Sequence, residues 1–171
     1  MRQTRGAVAT TLTIAWMVAL GGAGQQPIGP LAAFEPLVGT SWIGRFASSP
    51  APPFDHWIAW STLLGGQGVQ WSKRVEQMGF SMETFFYWDG ELDAIAFIQL
   101  ASNGIHGKGV VEITDGGFAL VGIAMQPTGI VSFRQTFERL SEGVLEDRYF
   151  RRTGDGWLTE HVIVYRLDLS E

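Results

Sequence analysis

Hydrophobic and polar residues alternate along short segments of the chain from about residue 40 onward. The stretch 130–139 is the clearest example, with Val131, Phe133 and Phe137 on one face and Arg134 and Glu138 on the other. Successive side chains of a β-strand point to opposite faces, so a period of two residues indicates a strand with one buried face. Beyond residue 37 the chain has no convincing apolar stripe of helical period. The pattern therefore predicts an all-β domain.

Turn dipeptides separate these segments at a spacing of roughly 12 residues, which is typical of a meander of hairpins. Asn103-Gly104 and Asp155-Gly156 are two of them. Asn-Gly and Asp-Gly are strong hairpin signals, because tight hairpin turns need positive φ at their central residues. The predicted strands are 40–46, 56–63, 69–76, 81–88, 92–100, 105–114, 118–124, 130–139, 145–152 and 157–167.

About ten sequential strands joined by tight turns leave no room for crossover helices. We expect an up-and-down antiparallel β-barrel, because closure removes the edge strands that such a meander would otherwise expose. An open β-sandwich is the alternative, and the apparent hairpin at every connection makes it the weaker one. Residues 31–38 are expected to form one helical turn that leads into the barrel.

The N-terminus has the order of a secretory signal. Arg2 and Arg5 precede the apolar, uncharged stretch Ala7–Leu20, and small residues follow it up to Ala23. This order predicts a signal peptide over 1–23, a linker over 24–33 and a single barrel domain over 34–171. We therefore expect a periplasmic or secreted protein. An uncleaved membrane anchor is the alternative, although the apolar stretch is short for a membrane span.

Charge and cysteine content exclude several classes of function. The net charge is −5, and because two of the 12 basic residues and none of the 17 acidic ones precede Ala23, the mature chain would carry −7. A negative chain without a Lys/Arg cluster is a poor partner for nucleic acid, and we expect no stable membrane insertion after cleavage. The chain has no cysteine, so it has no disulfide, thiolate nucleophile or thiolate metal ligand. The oligomeric state is not predicted.

Three features carry a family resemblance. The segment 34–46 runs Pro-Leu-x-Gly and then Trp42 on the opening strand, Asp55-x-Trp57 follows, and Gly156-Trp157-x-x-x-His161 begins the last strand. These features resemble the calycin superfamily of lipocalin-like and fatty-acid-binding-like barrels, and look closest to bacterial lipocalin-like domains of unknown function. Two residues separate Gly39 from Trp42, whereas lipocalins have Gly-x-Trp and paired cysteines. As an opening-strand Trp, Trp42 is expected to be buried at the closed end near Arg148 or Arg166.

The resemblance implies a barrel cavity that holds one small, largely apolar molecule without catalysis. Ligand cavities are lined mainly by apolar and aromatic side chains, with a few polar groups that orient the guest. Candidate lining residues were chosen by alternation within each predicted strand. The aromatic candidates are Trp57, Trp71, Phe85, Phe97, Phe133 and Tyr149, and the polar candidates are Glu83, His106 and His161.

Three other functions stay open. His56, His106 and His161 form no local metal motif, so we expect no metal and no cofactor, although nitrobindin-like barrels imply haem ligation through His161 as an alternative. An enzyme would use Glu83 or His106 as the general base in the cavity, for hydrolysis or isomerisation. A barrel that is packed solid would instead act as a protein-interaction module. No nucleophile elbow, phosphate loop or dinucleotide fingerprint is present, and no catalytic residue is predicted.

Overall fold

Ten antiparallel strands form one closed barrel in the computed structural model, which describes residues 26–48, 50 and 52–170. Each strand pairs with its neighbours in sequence, and the first pairs with the last to close the barrel. This confirms the expected up-and-down barrel and excludes the open sandwich. The strands are β1 (Ser41–Phe46), β2 (His56–Leu63), β3 (Gly68–Val75), β4 (Phe80–Asp89), β5 (Ala94–Ala101), β6 (His106–Thr114), β7 (Gly117–Gln126), β8 (Gly129–Ser141), β9 (Val144–Thr153) and β10 (Gly156–Leu167).

The start of β5 differs from the predicted start for a local structural reason. The alternation places this start at Leu92, whereas the strand begins at Ala94. The Asp89 carboxylate accepts hydrogen bonds from the backbone N–H groups of Glu91 and Leu92, at 3.0 and 3.1 Å. An Asp side chain that binds the backbone in this way stabilises a turn. Leu92 therefore belongs to the turn, and its side chain is exposed.

A 3-10 helix over Gly29–Phe34 covers one end of the barrel, which we call the closed end. The helix begins and ends earlier than the helical turn expected at 31–38. Its residues Leu31 and Phe34 are both buried in the core. Part of the segment expected to be a linker therefore packs with the barrel. The predicted signal peptide, 1–23, lies outside the described residues.

The closed end is filled with aromatic rings. The Phe34 ring centroid lies 4.7 Å from that of Phe86 and 5.1 Å from that of Phe118. Trp60 and Trp71 stack at 5.9 Å, and Phe137 meets the Trp71 ring at 5.0 Å. Offset and edge-to-face pairs at these distances stabilise a core beyond the area they bury. The six rings pack against one another in the lumen of this half of the barrel.

Trp42 is also buried in the core, as expected, and its indole N–H donates to the Thr40 hydroxyl at 2.8 Å. The expected arginine neighbours are not on the same face of the sheet. Arg148 and Arg166 are exposed, and the Arg148 guanidinium donates to Glu146. The expectation that an arginine lies against Trp42 inside the barrel is therefore wrong. The reason is alternation, since both arginines occupy outward positions of their strands.

Close packing inside the barrel also depends on a glycine. Tyr165 on β10 is fully buried, and its ring lies across Gly44 on β1. A Cβ atom at position 44 would lie 2.4 Å from the Tyr165 ring, closer than any real contact. Gly44 therefore allows a large inward side chain on the neighbouring strand.

No helix in the described ranges, 26–48, 50 and 52–170, is both long and apolar enough to span a membrane.

Candidate ligand-binding site

The lumen at the end of the barrel opposite the 3-10 helix contains a cavity of about 340 Å³. Each of the ten strands contributes at least one residue to its wall. The volume lies at the small end of the range for ligand pockets. The apolar and aromatic part of the wall includes Phe46, Val75, Met82, Ile105, Phe133 and Tyr149.

A polar layer separates this cavity from the aromatic core. We call Lys73, Gln135 and Asp147 the polar floor. The Lys73 ammonium lies 3.8 Å from Oδ2 of Asp147, and the Gln135 amide donates to Oδ1 of Asp147 at 2.8 Å. The Lys73 and Asp147 side chains are 7% and 0% exposed. Two charges buried this deeply must compensate each other, because transfer of a single charge from water into a protein interior costs several kcal/mol, on the order of 5.

Other polar atoms of the cavity wall have no hydrogen-bond partner within the part of the chain that the structure describes. The two ring nitrogens of His56 have no hydrogen-bond partner among the described residues, and neither does the amide nitrogen of Gln99. The His56 and Gln99 side chains are both buried. Burial lowers the pKa of His56 to about 4, with a further contribution from the nearby Lys73 charge. His56 is therefore neutral at pH 7. Buried polar groups without partners are uncommon, and they indicate a place where a guest or water completes the hydrogen bonding.

His161 reaches the cavity because β10 contains a bulge. The pairing with β9 shifts between Thr159 and His161, so that Thr159 pairs with Phe150 and His161 pairs with Tyr149. One extra residue in a strand turns the side chains that follow it to the opposite face. Without the bulge, His161 would point outward with Trp157.

Tyr149 and His161 form a stacked aromatic wall. Their rings lie 5.3 Å apart and are nearly parallel, and Tyr149 stacks on Phe133 at 5.5 Å. Burial lowers the pKa of His161 to about 4 and raises the pKa of Tyr149 to about 12. Both rings are therefore uncharged near neutral pH, which makes this side of the cavity suitable for an apolar guest.

The structure brings three of the nine predicted ligand-binding residues together at the cavity, namely Phe133, Tyr149 and His161. Two more point into the barrel but do not line this space. Trp71 belongs to the aromatic core below the polar floor, and Phe97 packs behind Phe133 with 6.0 Å between their centroids. Trp71 and Phe97 therefore pack behind the residues that line the cavity.

The other four predicted residues lie on the outer face of the barrel. Trp57 and His106 are exposed, Phe85 is half-buried, and Glu83 accepts hydrogen bonds from Gln70, at 2.9 Å, and from Ser72. The expectation that these four side chains point inward is wrong, because in each strand the inward face was assigned one residue away from its true position. The inward positions are even-numbered in β2 and β4 and odd-numbered in β6. Aromatic residues on both faces of β4 hide this choice in the sequence.

Sequence reasoning missed the polar residues that do face the lumen: His56, Lys73, Gln99, Gln135 and Asp147. A signal for them existed. Each occupies a position two residues from buried apolar side chains of the same strand, as Lys73 does between Trp71 and Val75. A polar residue on the apolar face of a strand indicates an interior polar group.

The described residues contain no group of three His, Cys, Asp or Glu side chains close enough to hold a metal ion. The closed antiparallel barrel with an internal cavity is compatible with a calycin-like architecture. No protein-family model matches the chain, and the search of the curated proteins returned no match.

Proposed function

We propose that this chain is a calycin-like binding protein that is exported to the periplasm or the medium and holds one small, largely apolar molecule. The observation that carries the proposal is the cavity of about 340 Å³, with an aromatic and aliphatic wall and a few polar atoms at its base. This is the composition expected for a small-molecule site. The proposal assigns the chain no catalysis.

The contrast between the two ends of the barrel supports a guest over a solid interaction module. Six rings fill the closed end, whereas the other end keeps an internal space next to Phe133 and Met82. A module selected only for its outer surface gains nothing from such a space. A binding protein needs it.

The enzyme alternative depended on Glu83 or His106 as a base within the cavity. Glu83 lies on the outer face with Gln70 and Ser72, and His106 is exposed on the outer face of β6. A general base must be within hydrogen-bond reach of the proton that it removes. Neither residue can therefore act on a molecule held in the lumen.

Binding of a neutral fluorescent probe, N-phenyl-1-naphthylamine, tests the proposal. We expect one saturable site per chain with a Kd in the micromolar range, which corresponds to roughly 8 kcal/mol of binding free energy. Native mass spectrometry of the freshly purified protein would identify a molecule that is retained during purification.

Two neighbouring substitutions locate the probe. Ala101 lines the cavity, whereas Leu100 points outward with half of its surface exposed. Ala101→Trp should fill the cavity and weaken probe binding at least about tenfold, which is 1.4 kcal/mol. Leu100→Trp places the same indole ring on the outer face of the barrel and should leave the Kd of the probe unchanged. Equal binding by both variants, or no saturable binding by the native chain, would overturn the proposal.

A further inference from the structure

The polar floor defines the charge that a guest must carry. Lys73 on β3 and Asp147 on β9 meet across the lumen, and each is the other's counter-ion. The remaining titratable residues of the described cavity wall are His56, Tyr149 and His161, which are uncharged at pH 7. The net charge around the cavity is therefore zero before a guest enters.

Lys73, Gln99 and His56 offer donors at the base of the cavity, beside Oδ2 of Asp147, an acceptor that has no hydrogen-bond partner among the described residues. An ammonium has three N–H donors, and Oδ2 of Asp147, at 3.8 Å, is beyond hydrogen-bond length from the Lys73 nitrogen. The amide nitrogen of Gln99 is a second donor without a partner among the described residues. Neutral His56 adds one donor and one acceptor. A guest that supplies an oxygen acceptor satisfies these groups.

We infer that the cavity takes an uncharged amphiphile with a carbonyl head, such as a ketone, ester or amide, and discriminates against carboxylates because Asp147 already neutralises Lys73. This inference rests on the proposed function and names the chemical class of its ligand. Asp147 is the residue that determines the specificity.

The cost of an added charge explains the discrimination. A carboxylate at the floor would bring a second negative charge to a single buried ammonium, and an unpaired buried charge is strongly unfavourable. An alkylammonium would meet the same difficulty with the single carboxylate. A carbonyl oxygen accepts a hydrogen bond from the charged Lys73 without changing the net charge, and hydrogen bonds to charged groups are the stronger ones.

The protonation of the pair does not alter this balance. Burial lowers the pKa of Lys73 and raises the pKa of Asp147. A proton that passes from the Lys73 ammonium to the Asp147 carboxylate leaves a neutral amine and a neutral carboxylic acid, so the sum of the two charges stays at zero. Lys73 is the only lysine or arginine among the described residues that line the cavity.

Four ligands with the same ten-carbon chain test the inference by displacement of N-phenyl-1-naphthylamine at pH 7.5. We expect decan-2-one and decanamide to bind at least about tenfold more tightly than decanoate and decylamine. Decanoate binding as tightly as decan-2-one would overturn the inference while the proposed function stands. Failure of the native chain to bind the probe at all would instead remove the proposed function.

Two variants that each remove one negative charge test whether Asp147 causes the discrimination against carboxylates. Asp147→Asn leaves Lys73 without a counter-ion, so decanoate should gain at least about tenfold relative to decan-2-one. Glu146→Gln is the matched control, because Glu146 is the adjacent residue and pairs with Arg148 on the outer face. This control should keep the native ranking of the four ligands. An equal shift in both variants would mean that overall charge sets the ranking, and the inference would fail.

If circular dichroism shows that Asp147→Asn does not fold, a double variant provides a second test. Lys73→Met with Asp147→Leu replaces the pair by apolar groups, a change that buried ion pairs often tolerate. We expect the native chain to bind decan-2-one more tightly than decane, which lacks a head group, and this advantage should disappear in the double variant. Retention of that advantage in the double variant would show that the pair does not bind the head group.

Discussion

The ammonium of Lys73 lies 3.8 Å from Oδ2 of Asp147, although their strands, β3 and β9, are not neighbours in the barrel. The contact crosses the lumen and divides the barrel into a packed half and a hollow half. The same two side chains are expected to affect both the stability of the protein and its proposed choice of ligand.

Removing one partner of this pair should destabilise the protein far more than removing both. Lys73→Met leaves the Asp147 carboxylate buried without a counter-ion, and such a change costs about 3–5 kcal/mol. The double variant Lys73→Met/Asp147→Leu should cost much less than the two single changes together. Urea denaturation of the four proteins in a double-mutant cycle measures the difference.

The exposed pair of Arg45 and Asp55 provides the control for this cycle. Arg45→Met should leave the urea midpoint close to that of the native chain, because solvent screens exposed pairs. Additive costs for Lys73 and Asp147 would contradict the interpretation that they compensate each other.

Two tryptophans on neighbouring strands should differ sharply in their contribution to stability. Trp42 on β1 is 2% exposed in the core, whereas Trp57 on β2 is 36% exposed on the outer face. Trp42→Ala should lower the free energy of unfolding by about 3–5 kcal/mol, as for other large core truncations. Trp57→Ala should cost less than about 1 kcal/mol, which is usual for a surface change. Similar urea midpoints for the two variants would contradict the assigned faces.

Stability should fall in mildly acidic solution because buried His56 and half-buried His161 are neutral in the folded protein. The pKa of His56 and of His161 is about 4 in the folded protein, against 6.5 for the unperturbed side chain. Between these values the unfolded chain binds more protons, so stability decreases as the pH falls from about 6.5 to 4 and is unaffected above about 7. The expected loss is at most about 3 kcal/mol for each histidine.

Single variants separate the histidines from the carboxylates that also titrate in acid. His56→Gln should flatten part of the decrease between pH 6.5 and 4 in urea denaturation. His106→Gln should not, because His106 is exposed on the outer face. An unchanged pH profile in His56→Gln would mean that this histidine is not the neutral buried group described above.

Export should remove the first residues of the chain. The basic, apolar and small-residue segments that end at Ala23 have the order of a secretory signal. We expect the mature N-terminus to lie between Gly22 and Gln26, as determined by N-terminal sequencing of the protein recovered from the periplasm or medium. A product that still begins at Met1 would favour the membrane-anchor alternative.

The strand pattern was readable from the sequence because it depends on local physics. Alternation along 130–139 and the glycine-containing turns between strands follow from the period of a strand and from the φ angles that turns require. All ten predicted strands correspond to β1–β10. The order of the strands follows as well, since a chain of tight hairpins can pair only with its neighbours.

In β2, β4 and β6 the side of the strand that faces the lumen was decided by tertiary structure. Tyr87 and Phe86 are both aromatic, and only the closure of the barrel makes Phe86 a core residue and leaves Tyr87 exposed. The bulge before His161 is equally invisible in the sequence, since it inserts one residue without a composition signal.

The polar floor was likewise decided only in three dimensions. By itself the sequence determined the class of fold, the strand order and the presence of aromatic side chains for a core. Lys73 and Asp147 are 74 positions apart by their residue numbers and lie on strands that do not pair, so no local pattern relates them. Closure of the sheet places both inside a lumen of low polarity, where a lone charge is unfavourable and a paired one is retained. The contact between them therefore arises from the tertiary structure.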